Sequence, residues 1–485
     1  MLNLRKTIQK INEKDSHAIV FQLVQSEADK CKDLYLLLRD REKNESEIAD
    51  ELKLSPPAYY TLKSRLRKKI QNYLSTDLPD MNIELFRNIA SIPKLLNDTP
   101  REIAIAHLLK LEKDLIEHDM PNELITVYSA LKKMTKYSQK YFEYEQLYNK
   151  HMAYTMAIEK AQDLLSDFNR TLGDFMMSRE KASHDLLVIL QKEIHNYASL
   201  YNSHRLTVIK NTSNIQYLLF VSELNAIQQL EVERMILDTQ AVLTQFDNDP
   251  NYNCHTLLFD FLKFEFLSRI NNMKEAEEIF PRVNEKLNSL LLNNTSCFPS
   301  VFLLSKAELY FSTKRKRALY DECKELAAQY TPTLEDVPNY INYVKFRAIV
   351  SFYAKKYNEA ISFLNQLMSD VSFRTFPHAE VELKLFVALC YLHANKAELA
   401  DGIIFSVQRK IRDMDPVLYK NARIFAKVLL TVMAPPTKKD DQKVAKMLKD
   451  FNSENRNENK ILGFVKLTGA QIKSLRPAHI KSSVA

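Results

Sequence analysis

Between residues 256 and 411 apolar side chains recur every three to four positions. The pattern itself returns four times, over 256–283, 301–326, 344–367 and 383–407. Each copy opens with an aromatic-rich apolar run (LLFDFLKFEFL, VFLLSKAELYF, VKFRAIVSFYA, LKLFVALCYL), crosses a short polar turn and resumes at an alanine. Those alanines, Ala276, Ala318, Ala360 and Ala400, are 42, 42 and 40 residues apart. A period near 3.6 predicts helices. Self-similarity at a fixed spacing predicts helix pairs that bury their apolar faces only against neighbouring pairs. A small alanine lets two antiparallel helices approach closely at the turn.

The same period predicts helices elsewhere. Upstream lie short helices over 2–13, 18–29 and 33–39. A helix over 45–53 follows, broken by Leu54-Ser55-Pro56, and then one over 56–74. Ser55 is a good N-cap, and a proline in the first helical turn is already set for the helix. Tyr59, Leu62, Leu66, Ile70 and Tyr73 form its inward stripe. Pro79, Pro93 and Pro100 interrupt the pattern, so 79–100 is expected as a linker between a small domain, 1–78, and an array, 101–433. The array begins with a hairpin over 103–118 and 123–137, followed by long helices over 142–168 and 175–203. Residues 206–243 are weakly patterned, and 416–433 close the array. The tail, 434–485, is charged and expected to be partly flexible, with a helix over 438–450, polar sequence over 451–460 and an apolar island at 461–465. That island is expected as a short strand or a docked segment.

Only 4 of 485 residues are glycine. That starves the chain of phosphate-cradling loops and supports an all-α reading. No GxSxG, P-loop, GxGxxG, HExxH or CxxC motif occurs, so no catalytic residue, metal or cofactor is expected. The five cysteines are scattered, no secretory signal is evident, and no uncharged apolar run reaches the ~20 residues of a membrane span. The expectation is a cytoplasmic protein with no membrane contact. Net charge is +7, placed at the ends: 15 Lys+Arg against 11 Asp+Glu over 1–75, 11 against 5 over 437–485, leaving 42 against 45 between. A weakly acidic middle argues against nucleic acid lying along the array.

Two resemblances give these elements a context. Ala348, Tyr353, Tyr357 and Ala360, and Ala388, Tyr391 and Ala400, resemble the small–aromatic–small pattern of tetratricopeptide repeats. Near 41 residues the period exceeds that family's ~34, which implies a tetratricopeptide-like α-solenoid of antiparallel hairpins with lengthened helices. The Ile-Ala-x-x-Leu-x-Leu-Ser-Pro run within 44–74 resembles the helix-turn-helix of sigma-factor region 4 and of LuxR-type regulators, with Lys53 where those families favour glycine. The order of the two parts resembles bacterial regulators that join such a head to a helical-repeat sensor.

The second helix of the head carries Lys63, Arg65, Arg67, Lys68 and Lys69 and no acid. Tyr60, Lys63, Ser64 and Arg67 share a face off the apolar stripe, which suits a helix in a DNA groove. Lys68 and Lys69 are placed for phosphates. In the array, a protein or peptide is expected in the concave groove, with Lys345, Arg347, Lys384 and Asn395 as candidate polar contacts. The chain is therefore expected to be a non-enzymatic interaction protein with a DNA-binding head. The alternative is a pure scaffold in which the first helices only cap the array, bind no nucleic acid and leave their basic face solvated.

Overall fold

A computed structural model describes residues 4–5, 8, 11, 13–26, 28–39, 45–74, 80–246, 252–292, 298–434, 438–455 and 460–465. Among them every regular element is an α-helix, and they group into two compact units, Met1–Ala153 and Tyr154–Ala485.

In the first unit, α1 (Glu13–Gln25), α2 (Asp29–Arg39), α3 (Glu45–Glu51) and α4 (Pro56–Leu74) surround one apolar cluster. Leu34, Tyr35, Leu38, Ile48, Tyr59, Leu66 and Ile70 are buried in it, so the stripe of α4 faces inward as its spacing requires. Between α3 and α4, Lys53 has φ 51°, in the left-handed region. The Leu54 N–H donates to the Ala49 carbonyl, closing the end of α3 as a helix C-cap does.

The expected linker over 79–100 is instead mostly helix α5, Asp80–Asp98, with Pro93 inside it. Proline removes one helical hydrogen bond. Here burial outweighs that loss: Leu85 and Ile92 pack into a cluster with Leu108, Leu115, Val127 and Leu131. Those partners come from α6 (Arg101–Glu117) and α7 (Pro121–Met134), the hairpin expected from the apolar period.

Helix α8 (Lys140–Ser178) begins in the first unit and contains the division. It runs through Gly173, where two helices had been expected. The break comes at Arg179, φ 57°, before α9 (Lys181–Leu200). Gly173 permits a close approach instead of a turn: a Cβ there would stand 3.1 Å from Pro338 Cβ.

The weakly patterned stretch 206–243 is a hairpin of α10 (His204–Phe220) and α11 (Ala226–Gln245). An Asn225–Gln228 capping box starts its second arm. The regular copies follow as α12 (Tyr252–Arg269) with α13 (Met273–Glu285), a short α14 (Leu287–Leu292), α15 (Val301–Ser312) with α16 (Lys316–Gln329), α17 (Val337–Tyr353) with α18 (Tyr357–Asp370), and α19 (Pro377–His393) with α20 (Ala397–Arg412). The members of each pair pack on each other. First helices also touch one another, α12 on α15 and α15 on α17, while α19 touches α21 (Lys420–Met433). Helix α22 (Lys438–Glu454) packs on α21.

The turns within the four pairs share one geometry. Asn271, Lys314, Lys355 and Asn395 lie at φ 61°, 59°, 61° and 57°. In each, the next N–H reaches back five residues at 2.9 Å, to the carbonyls of Leu267, Tyr310, Ser351 and Tyr391. These are the six-to-one bonds of a Schellman cap, made without glycine. Five residues beyond each left-handed residue stand Ala276, Leu319, Ala360 and Ala400, all fully buried. Ala318 is exposed, so the second copy is shifted by one residue and a leucine takes the alanine's place.

Candidate functional site

Helices α12, α15, α17 and α19 turn their polar interruptions toward a shared cavity of about 520 Å³ in the second unit. Helical spacing aligns the lining groups: Glu265, Ser268 and Arg269 on α12, Leu304, Ser305 and Glu308 on α15, Asn342 and Lys345 on α17, His378 and Glu382 on α19. Phe220 contributes from the end of α10, Arg179 and Leu224 from the turns that follow α8 and α10, and Lys460, Gly463 and Phe464 from the C-terminal segment.

That segment, residues 460–465, is the apolar island of the tail. It is docked, and the described part forms a turn, with the Val465 N–H donating to the Leu462 carbonyl. Ile461, Leu462, Phe464 and Val465 are buried. The Leu462 N–H donates to Glu382 Oε1 at 2.8 Å, and the Tyr353 hydroxyl donates to the Phe464 carbonyl. Phe464 meets Phe386 edge to face, with ring centroids 4.8 Å apart, and Lys460 pairs with Glu308 at 3.6 Å. Asn455 clasps Ile461 through both its N–H and its carbonyl.

The charges that line the cavity balance in sign. Burial pushes the Glu265 carboxyl up to about 7, against the pull of Arg269 and a hydrogen bond from Ser305. Burial also lowers Arg269, although Glu265 and Glu308 oppose it. His378 is pushed down to about 4 by burial and by Arg179. For Glu382 burial acts upward, but Lys345, 2.8 Å from its Oε2, outweighs it and holds the carboxyl below its ordinary range.

Of the four groove residues expected from the sequence, Lys345 lines this cavity. Arg347 lies with its guanidinium 4.1 Å from the centre of the Phe363 ring. Lys384 pairs with Glu380 at 2.7 Å, which also takes Lys410. Asn395 is the left-handed residue of a turn. Sequence reasoning missed Glu265, Arg269, Asn342, His378 and Glu382. The one signal for the first two was a pair of opposite charges four apart within an apolar-aromatic run that also carries Asp260 and Lys263.

On the head, Tyr60 is 65% exposed, and Ser64 and Lys68 are exposed beside it. Lys63, Arg67 and Lys69 are half-buried. Lys63 stands over the Tyr59 ring at 5.9 Å, and Lys69 donates to Ser26 Oγ at 2.7 Å. The exposed cluster Lys314 to Arg317 leans on aromatic rings, with Arg315 over Tyr310 and Lys316 over Tyr353.

Among the described residues no group of three or more His, Cys, Asp or Glu side chains is placed to hold a metal. No described helix is long and apolar enough to cross a membrane. Compared with known proteins, the chain matches no family model, no curated protein and no solved structure.

Proposed function

We propose that the chain is a non-enzymatic interaction protein. Its second unit is a tetratricopeptide-like solenoid that receives a peptide or protein segment in the cavity between its first helices. Its head is a helix-turn-helix that contacts duplex DNA, which makes the whole regulator-like. One observation carries the first part: residues 460–465 already sit against α17 and α19 as a peptide would, through one backbone donor, one backbone acceptor and an aromatic anchor. Binding of this kind draws affinity from main-chain hydrogen bonds and selectivity from the side-chain seat.

The test uses an acetylated, carboxyl-terminally labelled peptide with the sequence of residues 460–465, titrated by anisotropy into the full chain. A tethered segment competes at millimolar effective concentration, so the parent should bind weakly. Phe464→Ala, which loosens the chain's own copy, should bind about tenfold tighter or better. Tyr353→Phe in that background should weaken binding again. No binding by any of them refutes the groove.

Two observations support the head. Its buried residues close into their own cluster, apart from the cluster that begins at Leu85. Tyr60, Ser64 and Lys68 are exposed on one helix. Duplex DNA of random sequence should bind the full chain in a salt-sensitive way, and Lys63→Glu/Arg67→Glu should abolish that binding. Absence of binding at low salt would leave the head as a cap on a scaffold.

A further inference from the structure

Three buried acceptor atoms of residues that line the cavity have no hydrogen-bond partner: Glu265 Oε1, Asn342 Oδ1 and His378 Nδ1. Their residues are 2%, 1% and 5% exposed. In each the rest of the side chain is already anchored. Ser305 hydrogen-bonds Glu265, and Asn342 Nδ2 donates to Ser300 Oγ at 3.2 Å. The imidazole of His378 has a hydrogen bond to the backbone of Lys460 that favours the protonated ring, so the ring is its donor. A neutral imidazole that donates through one nitrogen offers the other as an acceptor. Buried acceptors are almost always satisfied in folded proteins. Three left open around one cavity describe a site whose donors arrive with a ligand.

The needed donor is an ammonium group. It carries three N–H bonds and no acceptor, and so matches three open acceptors. Glu265 supplies a countercharge. Arg179 and Arg269 line the same cavity and suit a carbonyl or carboxylate of the same ligand. Phe220, Leu224, Val301 and Leu304 form its apolar wall. We propose that this cavity binds the α-ammonium group of an amino acid or of a peptide's amino terminus, with an apolar side chain behind it. The proposal rests on reading the cavity as a recognition groove and adds the ligand's head group. Because Lys460, Gly463 and Phe464 form part of the lining, such a ligand would share the cavity with the docked segment or displace it.

The test is isothermal titration of the full chain, and of its Phe464→Ala variant, with L-leucine, trileucine and N-acetyl-trileucine. An amine-bearing probe should bind, and acetylation should weaken it about tenfold or more, as expected when a charge-assisted hydrogen bond is lost. Glu265→Gln, which keeps the shape, and Asn342→Ala should each weaken the amine probe while leaving the acetylated one unchanged. Binding by leucine identifies a free amino acid as sufficient. Binding by trileucine alone identifies a peptide terminus. Equal binding of the free and acetylated tripeptides overturns the proposal, as does silence of both amine probes up to about 10 mM, the limit of weak binding worth assigning. If the labelled 460–465 peptide still binds Phe464→Ala in that case, the groove stands and only the head-group assignment falls.

Discussion

Replacing Glu265 by glutamine removes a fully buried carboxyl that burial drives up to about 7 from an ordinary value of 4.5. The sign follows from proton binding. Between those two pH values the unfolded chain has ionised and the folded chain has not, so the folded state holds the extra proton and stability falls as pH rises. Each pH unit in that window removes about 1.4 kcal/mol, so the loss approaches about 3 kcal/mol by pH 8 and is nearly absent at pH 4.5. Glutamine has no such dependence. The charged and polar groups facing this carboxyl are Arg269 on α12, Ser305 and Glu308 on α15, and Lys460 from the docked segment.

His378 lines the same cavity, and its depressed value acts with the opposite sign. Its contribution is present above 6.5 and is lost as pH falls toward about 4. Subtracting parent from variant cancels this, since both retain the histidine. Thermal unfolding of the two chains at pH 4.5, 6 and 8 is the assay. The melting temperature of Glu265→Gln minus that of the parent should grow by about 4 °C from the lowest to the highest pH for a unit of this size. A flat difference would mean that Glu265 titrates normally in the fold. A difference of reversed sign would mean that Arg269 holds it ionised, and the cavity would then already contain its own countercharge.

Lys355 lies in the left-handed region at φ 61° on an exposed turn, so Lys355→Gly should raise stability by about 0.5–1 kcal/mol, measured by thermal or urea unfolding. A loss would show that its side chain contributes more than its strain costs. Gly173→Ala should do the reverse. The added methyl meets the rigid Pro338 ring at 3.1 Å, and the overpacking should outweigh the gain in helix propensity by about 1 kcal/mol, read as a lower melting temperature. Alkylation with iodoacetamide near pH 8, mapped by mass spectrometry, should modify exposed Cys254 ahead of Cys31, Cys323 and Cys390. Burial raises those three thiols, Cys323 to about 11. Comparable rates would mean that their helices open readily.

Helices were legible in the chain because their cause is local. A 3.6-residue apolar period, few glycines and the capping residues specify α-helix, and 256–411 contains enough copies for the pairing to show. The inward stripe of α4 was readable for the same reason, since an apolar run must find cover, whereas for the 461–465 island a strand and a docked segment both stood open until packing decided for docking. Errors arose where a residue's effect depends on what lies across from it. Pro93 suggested a linker, but packing of Leu85 and Ile92 keeps it in a helix. A break was expected between 168 and 175, but the helix runs on through Gly173, whose missing Cβ serves a contact with Pro338, 165 positions away by the numbering. Ala318 matched the spacing, yet the cap at Lys314 puts Leu319 in the buried place.

The cavity could not be read at all. Glu265, Asn342 and His378 are polar residues on three separate helices, and no local spacing relates them. They meet because the first helices of successive pairs lie side by side. Hydrophobic periodicity determines which face of each helix turns inward. Only the packing of those faces decides which of the polar residues on them share one cavity, and there burial alters what their charges can do.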